Sequence, residues 1–145
     1  MIILEMTHVT NEIRAAFEHL IPQLTQHSSP PSKDMLTQMA DSDQVFVFLA
    51  REGDYKGRIL GSATLATFIT PTGRHGWIED VVVDREARRQ GIGRALTEAC
   101  LKKAREIGLQ EVNLTSRPSR EAANALYQEM GFAQRETNVY RYPID

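Results

Sequence analysis

Apolar and polar positions along this chain follow two periods, and the changes from one to the other mark out its elements. Ile2 to Met6 is an apolar run that reads as a first strand. Thr10 precedes Ile13, Ala16, Phe17, Leu20, Ile21 and Leu24, a spacing that predicts a helix capped by the threonine hydroxyl. Pro22 lies inside that pattern and predicts a kink or two helical pieces, since proline lacks the N–H a helix interior uses and crowds the preceding turn. His27 to Pro31 then reads as a loop, and Ser32 is placed to cap a short helix through Ala40.

Downstream the period shortens. Val45 to Ala50 reads as a strongly apolar strand, Glu52 to Gly57 as a hairpin turn, and Ile59 to Phe68 as the antiparallel partner. Pro71-Thr72-Gly73 predicts a turn into a central strand, Gly76 to Val83. A long amphipathic helix follows, Ile92 to Ile107, closed by Gly108, with Lys102, Lys103 and Arg105 in its last turns where cations suit the dipole. Val112 to Thr115 predicts the next strand, and Ser119 is placed to cap a helix from Arg120 to Met130 that Gly131 stops. Phe132 to Arg135 and Val139 to Tyr142 predict two closing strands. The order β-α-α-β-β-β-α-β-α-β-β argues for an α/β layer fold, a mixed and mostly antiparallel sheet flanked by helices.

Composition narrows the classes of partner. A chain of 145 residues, 41% of them hydrophobic, can bury one sizeable core, and residues 1–145 are expected to form a single domain. A formal net charge of -2 gives no general attraction for nucleic acid or for an anionic membrane, so neither is expected as a partner. Arg85, Arg88, Arg89 and Arg94 form a local exception that suits a small phosphorylated molecule, because they gather at one loop. The chain runs straight into Ile2-Ile3-Leu4 without a basic leader, and no apolar run approaches the ~18 residues of a membrane helix, so the expected location is cytoplasmic. Cys100 has no partner for an intrachain disulfide and shares a helix face with Leu96 and Ala104, which reads as core packing. The histidines at 8, 19, 27 and 75 show no ligand spacing, and no metal site is expected.

Three features carry candidate chemistry. Arg88-Arg89-Gln90-Gly91-Ile92-Gly93-Arg94 lies between an apolar strand and the start of a helix. Glycines there let backbone N–H groups approach an anion at a dipole end, although the same residues also suit a plain turn. A dinucleotide fingerprint fails at Leu96, where its third glycine would stand, and no Gly-Lys-Ser/Thr follows to make a nucleoside triphosphate loop. Glu79 stands between apolar residues on a strand expected to be buried, so its carboxylate is either ion-paired or functional. Facing a cleft it can take a proton from an incoming ammonium, and strand alternation would send Asp80 to the opposite side. Trp77 shares the face of Glu79, and a carboxylate beside an aromatic ring attracts an ammonium by charge and by cation–π contact. Tyr127 sits four residues before Gly131 on a half-buried helix, where packing alone would account for it.

The glycine loop, Glu79 upstream of it, and Ala122-Ala123-Asn124-Ala125-Leu126-Tyr127 followed by Gly131-Phe132 downstream together resemble the GNAT family of acetyl-CoA-dependent N-acetyltransferases. The resemblance covers Trp77 to Phe132 in motif and the first half in element order. It implies that Arg88 with Gly91 and Gly93 matches the family's pyrophosphate pattern, that backbone groups of Arg89, Gln90, Gly91, Ile92, Gly93 and Arg94 hold the pyrophosphate of acetyl-CoA, and that Val81, Val82 and Val83 pair with pantetheine like an added strand. It further implies a splay between the central strand and the next, an acceptor wall formed by the first two helices, Glu79 as base, and Tyr127 as proton donor to the departing thiolate. Relatives carry Asn where this chain has Arg120, and Asn124 is the nearby residue that can take over the cofactor contact. The segment Gly76 to Val83 is also similar to glucosamine-6-phosphate N-acetyltransferases, but those place an acidic residue on the following strand where this chain has Thr115-Ser116, so a sugar-phosphate acceptor is not assigned.

The expected activity is direct transfer of acetyl from acetyl-CoA to a primary amine, small molecule or peptide, without a protein acyl intermediate. A non-catalytic acyl-CoA-binding or regulatory module on the same fold is the alternative; it would keep the glycine cradle and lack the acid and base. The loops His27 to Lys33 and Ile69 to His75 are expected to shape the acceptor site but carry no readable motif. The oligomeric state stays open, with a homodimer among the options.

Overall fold

The computed structural model describes residues 1–145. Its elements are β1 (Ile2–Glu5), α1 (Asn11–Leu24), α2 (Lys33–Asp41), β2 (Val45–Arg51), β3 (Ile59–Thr70), β4 (Gly73–Val83), a 3₁₀ turn at Arg85–Ala87, α3 (Ile92–Glu106), β5 (Val112–Asn113) and α4 (Glu121–Glu129). They fall into two compact units, Met1–Leu114 and Thr115–Asp145.

The first unit is a five-stranded sheet in the order β1-β2-β3-β4-β5, antiparallel except where β5 runs parallel to β4. This is the mixed, mostly antiparallel α/β architecture that the apolar periods predict. Local chemistry sets the helix starts: the Thr10 hydroxyl accepts from the Ile13 N–H at 3.2 Å, and the Ser32 hydroxyl accepts from Met35 at 3.1 Å. Pro22 does not split the element: α1 runs through it as one helix to Leu24. On one side of the sheet, Ile13, Phe17 and Leu20 of α1 and Leu36 of α2 pack with Val47, Leu49, Ile59 and Val82 of the strands. Each such side chain is worth about 1.5–3 kcal/mol when removed from water. Helix α3 buries Ile92, Leu96, Thr97, Cys100 and Ala104, and Leu96 fills the space that a Cβ at Gly61 would need. Lys103 ties α3 to β1 through Glu5 at 2.7 Å, and Gly108 follows α3 with a φ of 79°.

The second unit departs from expectation. No side chain caps α4: its first flanking residue is Arg120, and Ser119 does not serve. The Asn124 amide instead donates to the Arg117 carbonyl at 2.9 Å and closes the turn before the helix. The two closing strands predicted at 132–135 and 139–142 are not formed, and nearly every residue beyond Phe132 is exposed. A strand is stabilised by ladder partners and by a buried face; this polar segment, with Val139 and Tyr140 more than 70% exposed, has neither. The predicted strand at Val112 to Thr115 is likewise shortened to Val112–Asn113.

Candidate active site

The glycine loop folds as a concave turn at the head of α3. Arg89 has φ +64° and Gly91 has φ +78°, so left-handed residues flank Gln90 and fold the chain into the start of the helix. No side chain caps this N-terminus and its first turn holds no acid, which leaves backbone N–H groups at the positive end of a 15-residue helix for an external anion. Space beside Gly91 is open: a Cβ built there meets nothing within 4 Å. Arg88 turns back, its Nε donating to the Val83 carbonyl at 3.3 Å, while Arg94 lies along α3 beside Glu98 at 3.2 Å. Arg89 and Gln90 are exposed, Ile92 is buried beneath the loop, and Gly93 lies in the first helical turn.

This loop is anchored through Asp84, which is 1% exposed. One Asp84 oxygen accepts from the Glu86 N–H at 3.2 Å, and the other meets His19 Nε2 of α1 at 3.0 Å. Gln23, one turn along α1, accepts from the Arg85 N–H at 2.8 Å. Burial pushes the Asp84 carboxyl up, but the Glu86 N–H, the His19 hydrogen bond and the charges of His19 and Arg58 more than offset it, holding the group below the ordinary aspartate value. The chain just ahead of the glycine loop is thereby fastened to α1.

Pairing between β4 and β5 covers only Gly76 with Val112 and Trp77 with Asn113, and no strand adjoins the rest of β4 on that side. Val81, Val82 and Val83 lie on this free edge, Val82 buried and its neighbours half-buried. The opposite edge pairs with β3 but slips between Ser62 and Thr64, where Asp80 and Val81 of β4 stand against Ala63 alone. This is a β-bulge, and Asp80 takes a φ of +52° to make it.

Two expectations are corrected here. Glu79 is largely exposed rather than fully buried, and the bulge keeps Asp80 from pointing away, so that it lines a cavity of about 390 Å³. Alternation holds only while each residue has one partner, and the extra residue resets it. The cavity is walled by Phe17 and Ile21 of α1, the Ser28–Ser32 loop, Met35 and Met39 of α2, and Val47, Ser62 and Thr64 of the sheet. Glu79 pairs with Thr64 and Thr64 with Val47, so all three share the cavity face. Partial burial first, and the charge of Asp80 second, raise the Glu79 carboxyl above its ordinary value. The loop His27 to Lys33 contributes to the cavity as expected, whereas no residue of 69–75 does; there Phe68 packs on His75 at 5.4 Å and His75 bonds Thr70 and Thr72. The acidic pair Glu79-Asp80 is legible in the sequence as a candidate amine site, although alternation sends Asp80 to the wrong face; Met35 and Met39 of α2 carry no sequence signal that marks them as lining.

Cys100 is fully buried, and burial pushes its thiol up to about 12, so it is not a thiolate nucleophile near neutral pH. In the second unit, Tyr127 is half-buried on α4, its ring edge-on to Phe132 at 5.7 Å, with the Phe132 N–H bonded to the Tyr127 carbonyl at 2.9 Å. Asn124 lies one turn earlier with its amide nitrogen committed to Arg117, which leaves its carbonyl oxygen for a ligand.

Known proteins resemble this chain in sequence and in fold. N-alpha-acetyltransferase 30 of Schizosaccharomyces pombe is 31% identical over 119 residues, covering 81% of this chain and 77% of that protein. A Mycothiol acetyltransferase of Paenarthrobacter aurescens is 41% identical over 69 residues, 48% of this chain but only 21% of that longer protein. The crystal structure of a Trypanosoma brucei acetyltransferase superposes with a TM-score of 0.74 at 28% identity, covering 98% of this chain and all of that one. The family model described as "Acetyltransferase (GNAT) family" matches residues 10–132, from the cap of α1 through the Gly131-Phe132 pair, and the chain therefore belongs to the GNAT acetyltransferases.

Proposed function

We propose that this acyltransferase moves acetyl directly from acetyl-CoA to a primary amine, using Glu79 as base and Tyr127 as acid. The observation that carries the reading is the bulge in β4, which turns Asp80 into the wall of a cavity next to Glu79, immediately before a strand edge without a partner strand that leads to the uncapped head of α3. Acetyl-CoA, the co-substrate of this family, supplies an activated thioester. The open space at Gly91 and the unclaimed N–H groups of α3 fit its pyrophosphate, with Arg88, Arg89 and Arg94 around them and Asn124 as a further polar contact. The edge at Val81 to Val83 receives an extended arm by strand addition, and its N–H groups polarise a carbonyl laid against it. Glu79, with its raised proton affinity, takes the ammonium proton so that the free amine attacks. Tyr127 returns a proton to the departing sulfur. No cysteine carries the acetyl group, consistent with the state of Cys100.

Residues 1–145 are read as one domain because the family match crosses both units. No helix is long and apolar enough to cross a membrane, which accords with a cytoplasmic enzyme. Among acceptors, the α-amino group of a peptide gains support from the name of the yeast relative, which aligns over most of this chain. A panel of amines with acetyl-CoA, followed by free-thiol release, tests the proposal. Acetylated product and thiol in equal amounts are expected; acetyl-CoA binding without thiol release would identify a non-catalytic module, and thiol without product would mean hydrolysis.

A further inference from the structure

We infer, building on the acetyltransferase reading, that the acceptor is an ammonium borne on a small apolar body, seated in the α1–α2 cavity with its charge against Asp80. At about 390 Å³ the cavity lies at the small end of the ~300–1,000 Å³ range of ligand sites. Its helical walls are apolar: Phe17 and Ile21 from α1, Met35 and Met39 from α2. Asp80 is the one charged residue that lines it, and neither lysine nor arginine does, so a phosphate or carboxylate placed there would have no cation to meet. Met35 is 51% exposed, a large apolar side chain left in the wall of a cleft rather than in the core, and its flexible thioether can close over guests of differing shape. Besides Asp80 the polar lining consists of serine and threonine hydroxyls, which can bond an ammonium or a peptide carbonyl and carry no charge. The bulge gives the two carboxylates separate duties: Asp80 holds the charge at the cavity end while Glu79 receives the proton.

The test is a homologous series: unbranched alkylamines from ethylamine to hexylamine, phenethylamine, ethanolamine and glucosamine, beside short peptides that begin with Met, Phe, Ser or Asp. Expected is a rise in kcat/KM of about fourfold per methylene until the cavity is filled. Among peptides, Met and Phe should exceed Ser and Asp by about tenfold or more. Activity on amines alone assigns a free amine, activity on peptides alone a chain terminus, and either carries the inference if the apolar preference holds. Met35→Glu, at a half-exposed position, should flatten the series while acetyl-CoA affinity by calorimetry stays unchanged, and Asp80→Asn should raise KM across all amines. Equal or better turnover of ethanolamine, glucosamine and Asp peptides, or a series untouched by Met35→Glu, overturns the inference and leaves acetyl transfer standing. Failure of every amine and peptide to be acetylated overturns both.

Discussion

Two carboxylates in succession are made unequal by a single backbone angle. With φ at +52°, Asp80 inserts an extra residue against Ala63 and turns to the cavity, while Glu79 keeps its regular place opposite Thr64. Partial burial and the neighbouring negative charge raise Glu79, so it is protonated, and useless as a base, over a wider acidic range than an ordinary glutamate. Glu79→Gln should therefore remove or displace the acidic limb of the kcat/KM profile and lower the rate about 10²- to 10⁴-fold, as pH-dependent assays will read. An unchanged profile would hand the proton to another group. Tyr127→Phe should lower turnover about 10- to 10⁴-fold with acetyl-CoA affinity preserved, since calorimetry senses binding and not proton donation. The identity of Glu79, and its approximate place on a strand, were legible in the chain. The bulge beside it was not, because a two-against-one pairing is a property of two strands at once, and no residue in Trp77 to Val83 is a glycine that would announce it.

Among the elements, α3 carries the most function per residue at its start. Gly91 combines a left-handed φ with free space on the side where a Cβ would project. Gly91→Val should strain the turn and fill the cradle, weakening acetyl-CoA about tenfold or more by calorimetry. Gly108→Ala gives the matched control: it strains another left-handed position after the same helix and should cost stability without touching affinity. Equal losses in both variants would reduce the Gly91 effect to folding. Asp84 sets a second expectation at this scale. Its carboxyl is held below its ordinary value, so the ionised form contributes stability above the unfolded aspartate value, and that contribution disappears as pH falls through the lower folded one. Urea titrations between about pH 6 and pH 3 should show Asp84→Asn losing less stability on acidification than the parent; parallel curves would remove Asp84 from the acid response. Caps made by one side chain, such as Thr10 and Ser32, could be read from sequence because their chemistry spans three residues. The closing strands at 132–135 and 139–142 could not be decided that way, because alternation records a preference and only a partner strand makes it real.

At the scale of the whole molecule, the first half of the chain supplies the cavity and the second half of the first unit supplies the cradle, joined by β4 and the Asp84 tether. Family motifs are readable from Trp77 onward, whereas the cavity proposed for the acceptor exists only once α1, α2 and the sheet are assembled, since its lining is drawn from residues 17 to 80. The unpaired stretch of β4 beyond Trp77 has a consequence for the protein's endurance. A ladder edge without a partner strand exchanges its amide hydrogens freely and invites unwanted pairing, and on the proposed function an extended thioester arm would complete the sheet there. Amides of Val81 to Val83 should then exchange more slowly in deuterated water with acetyl-CoA present, and the melting temperature should climb with ligand, by about 2.7 kcal/mol of added stability at a hundred times the dissociation constant. Exchange that stays fast there would place the arm elsewhere. With the donor placed as proposed, the protein would be sturdiest when acetyl-CoA is abundant and most open to proteolysis and self-association when it runs low, so that its lifetime would gauge the acetyl supply.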